Sequence, residues 1–442
     1  MNVPLLLASE AASIGEADTA WMLVSTALVL LMTPGLAFFY GGLVRAKNVL
    51  NTMMMSFAAI AAAGLAWVLV GYSLAFSSGN GFLGGLDHAL LAGVGLEARG
   101  SIPHLLFMAY QGTFAVITVA LVSGAVAERM RFGAFAAFAA AWTVLVYAPV
   151  CHWVWGGGWL AGLGALDFAG GTVVHVNAGV AALVAALVVG PRRDYGRQAL
   201  LPHSVPFVLL GAALLWFGWF GFNAGSALAA NASAALAFVN TLLAPIGALA
   251  AWMALDHART GRVTAVGAAT GIVVGLVAIT PAAGFAAPLG ALALGAAAVL
   301  PSYFGILWRS RTRLDDSLDV VAAHGVGGVV GALGTGLVAS AAWGGTAGAL
   351  EGNVALLGRQ AIAVLATLAY SGAASFALLR LVGAFGPLRL SSPAQGRGLD
   401  VELHGEEAYG SGEGAILVFA EPQQAALAPA VPVDTLAAGA RP

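Results

Sequence analysis

Two histidines, His175 and His324, each stand as the one ionisable side chain in the interior of a long apolar run. Imidazole changes charge near neutral pH, so it can accept, donate or relay a proton. Three uses of such a pair are open. The rings can satisfy each other and only tie two helices together, they can line a polar rail through a pore, or they can ligate a metal. A metal needs a third ligand and often a fourth. The chain has no HExxH pair, and its single thiol is Cys151. No metal and no cofactor is therefore expected. Ionisable groups inside a membrane usually face a partner or an aqueous path, which favours the rail.

Aromatic residues form a second group. Tyr110 and Phe114 are spaced i, i+4, and Trp219, Phe222 and Ser226 are spaced i, i+3, i+7. Each set shares one helix face. Trp155 precedes three glycines in VWGGG. Such stripes are commonly packing or an interfacial belt. If the faces converge, they make a cage for a small cation by cation–π attraction, with the Ser226 hydroxyl as acceptor. Asp167, eight residues before His175, adds negative potential to an outer mouth with few other acids. It also stands where it can cap the following helix.

The elements that must position these residues are membrane helices. The 442 residues are 60% hydrophobic and 9% charged, and mean hydropathy is +0.90. A run of 18 or more apolar residues spans a hydrocarbon core of about 30 Å. Eleven such runs are expected, near 19–43, 49–76, 102–126, 133–151, 170–190, 204–225, 229–256, 263–281, 285–308, 319–341 and 358–382. Alternate loops hold Arg45 and Lys47; Arg129 and Arg131; Arg192, Arg193 and Arg197; Arg259 and Arg262; Arg309, Arg311 and Arg313. Twelve of the 18 basic residues thus fall on one face. The positive-inside rule puts that face in the cytosol, with the N-terminus outside and the C-terminus inside.

His175 opens the fifth run and His324 the tenth, each eight residues after an acid, Asp167 and Asp316, and each followed by small residues. The two runs cross in opposite directions. Spans 1–5 and 6–10 therefore read as inverted repeats, with a site at their interface. Measured along the helix from the basic loops, both histidines fall within the hydrocarbon layer. Glycine pairs such as Gly271 and Gly275, or Gly327 and Gly331, suit close helix packing in lipid, and Cys151 reads as a small packing residue. The chain divides into a periplasmic segment (1–18), a membrane domain (19–382), a cytosolic tail (383–410) and an Ala/Pro-rich, disordered tail (411–442). The first 18 residues lack the features of a signal peptide.

The sequence resembles the ammonium transporter family (Amt/Mep/Rh), on its bacterial Amt side. The resemblance runs from about 18 to 410. It is carried by PGLAFFYGGLVRAKNVL, YQGTFAVITVALVSGAVAERMRF, VWGGGWLAGLGALDFAGGTVVHVNAG, GWFGFNAGSA, AFVNT, ITPAAG, DDSLDVVAAHGVGG and GLDVELHGEEAY. It implies eleven helices, a pore in each subunit, a homotrimer and a multi-pass protein of the bacterial inner membrane. It implies an outer recruitment site from Trp155, Ser226 and Phe114, with Tyr110 where many relatives have phenylalanine. Phe114 and Phe222 match the stacked gate, His175 and His324 the twin histidines, Trp219 and Thr280 pore-wall positions, and Asp167 the acid near the outer vestibule. The segment 398–409 resembles a tail that docks under neighbouring subunits and responds to a trimeric PII signal protein. No nucleic acid partner is implied.

Three other readings separate on simple grounds. A sodium-coupled symporter of 5+5 design needs acidic or carbonyl ligands at mid-depth, and no span carries a central acid. An ammonium sensor usually appends a signalling domain, for which the tail is too short. An intramembrane enzyme lacks a nucleophile with its base.

Overall fold

The computed structural model describes residues 13–410. The 411–442 tail and residues 1–12 lie outside that range. Eleven helices are long and apolar enough to cross a membrane: α1 (Glu16–Leu43), α2 (Ala46–Phe76), α3 (His104–Val126), α4 (Phe132–Leu163), α5 (Gly171–Val189), α6 (Val205–Ala227), α7 (Ala232–Thr260), α8 (Ala265–Ala282), α9 (Pro288–Arg309), α10 (Val321–Val338) and α11 (Val354–Phe385). Two short helices follow, α12 (Ser392–Arg397) and α13 (Leu399–His404). Strand pairing among the described residues is slight. The one named sheet is a hairpin, β1 (Ala98–Arg99) with β2 (Ile102–Pro103), between α2 and α3.

Buried hydroxyls in these helices have no water to bond, so many return to their own backbone. Thr52 donates to Asn48 O at 2.7 Å, Thr143 to Ala139 O at 2.8 Å and Thr241 to Ala237 O at 2.6 Å. Four spans contain a π-helical stretch: Trp67–Gly71, Thr143–Tyr147, Gly171–Val176 and Val321–Val326. The last two hold the histidines. A π-turn inserts an extra residue into the helix and re-aims side chains around it, which is why such turns concentrate at working sites.

Helices that correspond in the two halves cross face to face. α6 packs against α1, where a Cβ on Gly211 would lie 2.2 Å from Phe39 N. α5 packs against α10, where a Cβ on Gly179 would lie 2.2 Å from Gly325 Cα. Only the absence of a side chain lets the backbones come this close. The expected glycine pairs behave alike: a Cβ on Gly275 would meet Ala248 Cβ at 2.6 Å, and one on Gly331 would meet Ala278 O at 2.5 Å. Cys151 is fully buried as a packing residue.

The basic loops do more than face one side. Glu128, buried and at φ +66, accepts from Arg45 N at 2.8 Å and pairs with Arg45 Nη2 at 3.0 Å and Arg192 Nη1 at 3.2 Å. Arg192 also grips Asp315 through Nη2 at 2.8 Å and Nε at 3.0 Å. Arg129, fully buried, donates to the carbonyls of Gly190, Ala125 and Asp315 at 2.6 to 2.8 Å. One network thus joins the loops after α1, α3, α5 and α9. Burial pushes the Glu128 carboxyl up, but Arg192 and Arg45 outweigh it and hold it below its usual 4.5. A lowered carboxylate stabilises the fold above its ordinary value, and that contribution is lost as pH falls through the lowered one. Glu128→Gln leaves the buried Arg192 and the half-buried Arg45 short of a counter-charge, a loss of about 3 kcal/mol. It is expected to lower the melting temperature in detergent at pH 7 by several degrees and to flatten the acid side of the melting-temperature profile. Wild-type melting at both ends of that profile would refute this role.

The tail folds back on its own chain. The Asp400 carboxylate accepts from Leu50 N at 3.0 Å and Asn51 N at 2.8 Å, at the positive end of α2. Leu399 N donates to Asn48 Oδ1 at 2.9 Å, and Lys47 Nζ reaches Gly396 O.

Candidate functional site: a histidine-lined constriction

α5 and α10 bring their histidines into contact. His175 Nδ1 and His324 Nδ1 lie 3.3 Å apart, and the rings are near parallel with centroids 5.3 Å apart. One ring must donate and the other accept, so the two imidazoles carry opposite tautomers. Both are buried, and His175 Nε2 has no protein partner. The glycine crossing sets this spacing, since a Cβ on Gly328 would also press on His175 Cβ at 3.0 Å.

The rings border a cavity of only about 10 Å³, walled otherwise by Met32, Leu36, Ile117, Leu121, Val174, Leu215, Trp219 and Phe222. Those aliphatic wall residues were missed in the sequence, where nothing distinguishes them from ordinary packing. Trp219 stacks on His175 with centroids 5.4 Å apart. Its indole N–H is committed to Thr280 Oγ1 at 2.9 Å, and the Thr280 hydroxyl itself donates to Leu276 O at 2.8 Å. Thr280 does not border the cavity; it fixes the indole that does. The remaining polar groups at the constriction are the two imidazoles.

Toward the C-terminal end of α6, Phe222 stacks on Phe114 at 4.2 Å, which closes the cavity on that side. Beyond the pair stand Trp155, edge-on to Phe114 at 5.9 Å, Tyr110 and Ser226. The sequence-derived aromatic set is therefore brought together from α3, α4 and α6. Ser226 Oγ donates to Phe222 O at 2.9 Å and lies 3.3 Å from the Tyr110 hydroxyl, which leaves it lone-pair capacity to accept from a ligand. The Tyr110 hydroxyl lies 3.0 Å from both Gly221 O and Phe222 O. It joins α3 to α6 and has its single proton engaged there. Tyr110→Phe is accordingly expected to cost about 1 kcal/mol of stability and to leave activity within about twofold of wild type. A tenfold fall in activity with normal melting would show instead that the hydroxyl meets the ligand of this site.

Asp167 lies just before α5 and is spent on the backbone. Its carboxylate accepts from the amides of Gly170, Gly171, Thr172 and Val173 at 2.7 to 3.0 Å. Its own carbonyl accepts from Trp155 Nε1 at 2.8 Å. Gly170 at φ +113 lets the chain fold over the carboxylate. Burial pushes this acid up, and the four amides pull it back. Its place is that of a cap holding both Trp155 and the π-helical start of α5. The counterpart Asp316 caps α10 less completely. Val321 N donates to Oδ2 at 2.7 Å, while Oδ1 is buried without a partner. Burial and the nearby Asp319 push this carboxyl up to about 7.

On the basic face, a vestibule of about 350 Å³ opens from His324 and is bordered by Tyr40, Tyr195, Arg192, Arg309 and Asp319. His324 thus separates the constriction from the vestibule.

Comparison with known proteins agrees with this geometry. The profile of the Ammonium Transporter Family matches residues 20–409. The chain is 50% identical over 407 residues to an ammonium transporter of Aquifex aeolicus, covering 91% of this chain and 95% of that one. It is 47% identical over 398 residues to an ammonium transporter of Bacillus subtilis, covering 89% and 98%. The fold matches the crystal structure of Saccharomyces cerevisiae Mep2 with a TM-score of 0.81 at 37% identity, covering 86% and 88%. With eleven spans, ten of them in two inverted halves, and a match along almost the whole described length, this multi-pass membrane protein belongs to the ammonium transporter family.

Proposed function

We propose that the chain recruits ammonium at its outer aromatic site, strips a proton near the Phe114–Phe222 pair, and conducts ammonia past His175 and His324. The observation that carries this reading is the constriction. A cavity needs roughly 10–15 Å³ of such volume to hold one water, and this one offers about 10 Å³. A hydrated ion does not fit, and stripping an ion's hydration in an apolar wall costs many kcal/mol. Ammonium escapes that cost by losing a proton; potassium has no neutral form. A size filter would separate two such similar cations poorly.

Trp155, Phe114 and Tyr110 supply ring faces to a cation, and Ser226 supplies an acceptor. Asp167 serves through the backbone it caps. The aromatic pair excludes water, and the imidazoles offer the migrating nitrogen its only polar contacts at mid-depth. Histidines also relay protons, so a separate proton path through them accounts for any accompanying charge. The basic loops support an N-terminus outside and a C-terminus inside, in the inner membrane of a bacterium. The membrane domain is read as one subunit of a homotrimer with a pore in each copy. The docked segment 398–409 is read as the regulatory contact for a PII-type partner.

Reconstituted protein tests this directly. Proteoliposomes are expected to take up ammonium at least about a hundredfold faster than potassium, a difference of ~2.8 kcal/mol in barrier, without need of sodium. Equal uptake of both cations would defeat the neutral-ammonia route, and binding without uptake would favour a sensor. A current under ammonium marks separate proton transfer; uptake without current leaves passive ammonia flow.

A further inference from the structure

A surface groove of about 460 Å³ lies where α5 and α11 end on the basic face, well apart from the constriction and its vestibule. Its walls are Val188 and Val189 from the last turn of α5, Leu379 from α11 and Leu388 from the turn that follows. Two guanidiniums border it, Arg380 and Arg389. Arg380 is exposed and Arg389 half-buried. Among the described residues, neither has a carboxylate within 4.0 Å, whereas Arg45, Arg192, Arg193, Arg309 and Arg397 all do.

Arg389 is only loosely held. Nη1 reaches Val189 O at 3.4 Å and Nη2 reaches Gln395 Oε1 at 3.3 Å, both at the long end of hydrogen-bonding range and both neutral. The acid whose field reaches it is Asp315, already gripped by Arg192 at 2.8 and 3.0 Å. Burial weakens the Arg389 charge more than Asp315 supports it. The groove therefore offers two forked cations an anion has not yet met, over an apolar floor.

Its setting narrows the anion. The flanking Leu381 and Phe385 are 55% and 87% exposed, and Leu187 on α5 is 64% exposed. These exposed apolar side chains stand in the last turns of two membrane spans, next in sequence to the residues that line the groove. A soluble anion would use the guanidiniums and leave those surfaces bare. A molecule with a phosphate at one end and hydrocarbon at the other uses both.

We propose that this groove seats the phosphate of an anionic glycerophospholipid, with Arg380 and Arg389 on the headgroup and acyl chains along α5 and α11. Arginine suits the task because its planar fork matches phosphate oxygens. The volume lies within the roughly 300–1,000 Å³ of small-molecule sites. The bound lipid ties α5, which carries His175, to the last span and to the turn leading into the tail.

The test uses the full chain in a neutral detergent. Phosphatidylglycerol is expected to raise the melting temperature clearly more than phosphatidylcholine at equal concentration. Native mass spectrometry is expected to show Arg380→Gln binding phosphatidylglycerol at least about fivefold more weakly, with unchanged melting in detergent alone. The double variant R380Q/R389Q should lose most of the lipid-induced stabilisation. If its fold suffers from the lost Val189 and Gln395 contacts, the exposed Arg380 still decides the matter. Equal stabilisation by the two lipids, or wild-type phosphatidylglycerol affinity in Arg380→Gln, overturns the proposal. So does full stabilisation by inorganic phosphate alone, which would make the ligand a soluble anion.

Discussion

His175→Ala or His324→Ala is expected to cut ammonium uptake by at least about tenfold, or to let potassium through, in proteoliposomes whose protein still melts normally. Either ring contributes in two ways. Each is one of the two ionisable side chains that border the constriction, and each fills volume. His175 lies between Trp219 at 5.4 Å and His324 at 5.3 Å, so its removal opens space where about 10 Å³ was free. An enlarged passage admits water, and water lowers the barrier that keeps a permanent ion out. Loss of the imidazole also removes the group best suited to hold or pass a proton, a function worth roughly 10²–10⁴ in rate where it applies. The two losses give different signatures. Slow uptake with intact selectivity points to the polar role, and fast uptake with potassium leak points to the filling role. Wild-type uptake and selectivity in both variants would sink the assignment.

The second large effect concerns a residue with no functional group. Gly179→Ala places a methyl 2.2 Å from Gly325 Cα and 2.5 Å from Gly325 N. Those are main-chain atoms and cannot swing aside. α5 and α10 must separate, which breaks the 3.3 Å contact between the imidazoles. Overpacking of this kind typically costs 1–3 kcal/mol, so melting should fall by a few degrees. Uptake should fall by at least about tenfold, because the geometry of the pore lining depends on that crossing. Gly358→Ala provides the control: it lies in α11, and an added Cβ there meets nothing. It should leave uptake unchanged. Normal transport by Gly179→Ala would show that the crossing has more tolerance than its contacts imply.

Much of this arrangement was legible in the sequence, for identifiable reasons. Hydrocarbon thickness forces long apolar runs, so all eleven spans could be counted, although α11 extends to Val354–Phe385 beyond the expected 358–382. A histidine in such a run is costly, so the two that border the constriction stood out. The aromatic residues were legible through helical spacing, and Phe114 and Phe222 do stack. Other features left no such trace. The wall residues Leu36, Ile117 and Leu215 are chemically like any lipid-facing residue. Thr280 and Tyr110 act through hydrogen bonds to groups distant in the chain, which spacing cannot reveal. The arginines of the basic loops were read for topology alone. Their buried acids, Glu128 and Asp315, join loops as far apart in sequence as Arg45 and Asp315, since Glu128 holds both Arg45 and Arg192 and Asp315 holds Arg192.

The opposed tautomers of His175 and His324 have a further consequence. Suppose the first ring takes up a proton at Nε2, hands its Nδ1 proton across the 3.3 Å contact, and the second ring releases its Nε2 proton. One unit of charge has then crossed, but the pair is left polarised the other way. The entry nitrogen now bears hydrogen and the exit nitrogen does not. A second proton cannot follow in the same direction until both rings are re-set by exchange with whatever passes between them. Any charge moving by this route therefore travels one step at a time, and a molecule able both to give and to take hydrogen must intervene between steps.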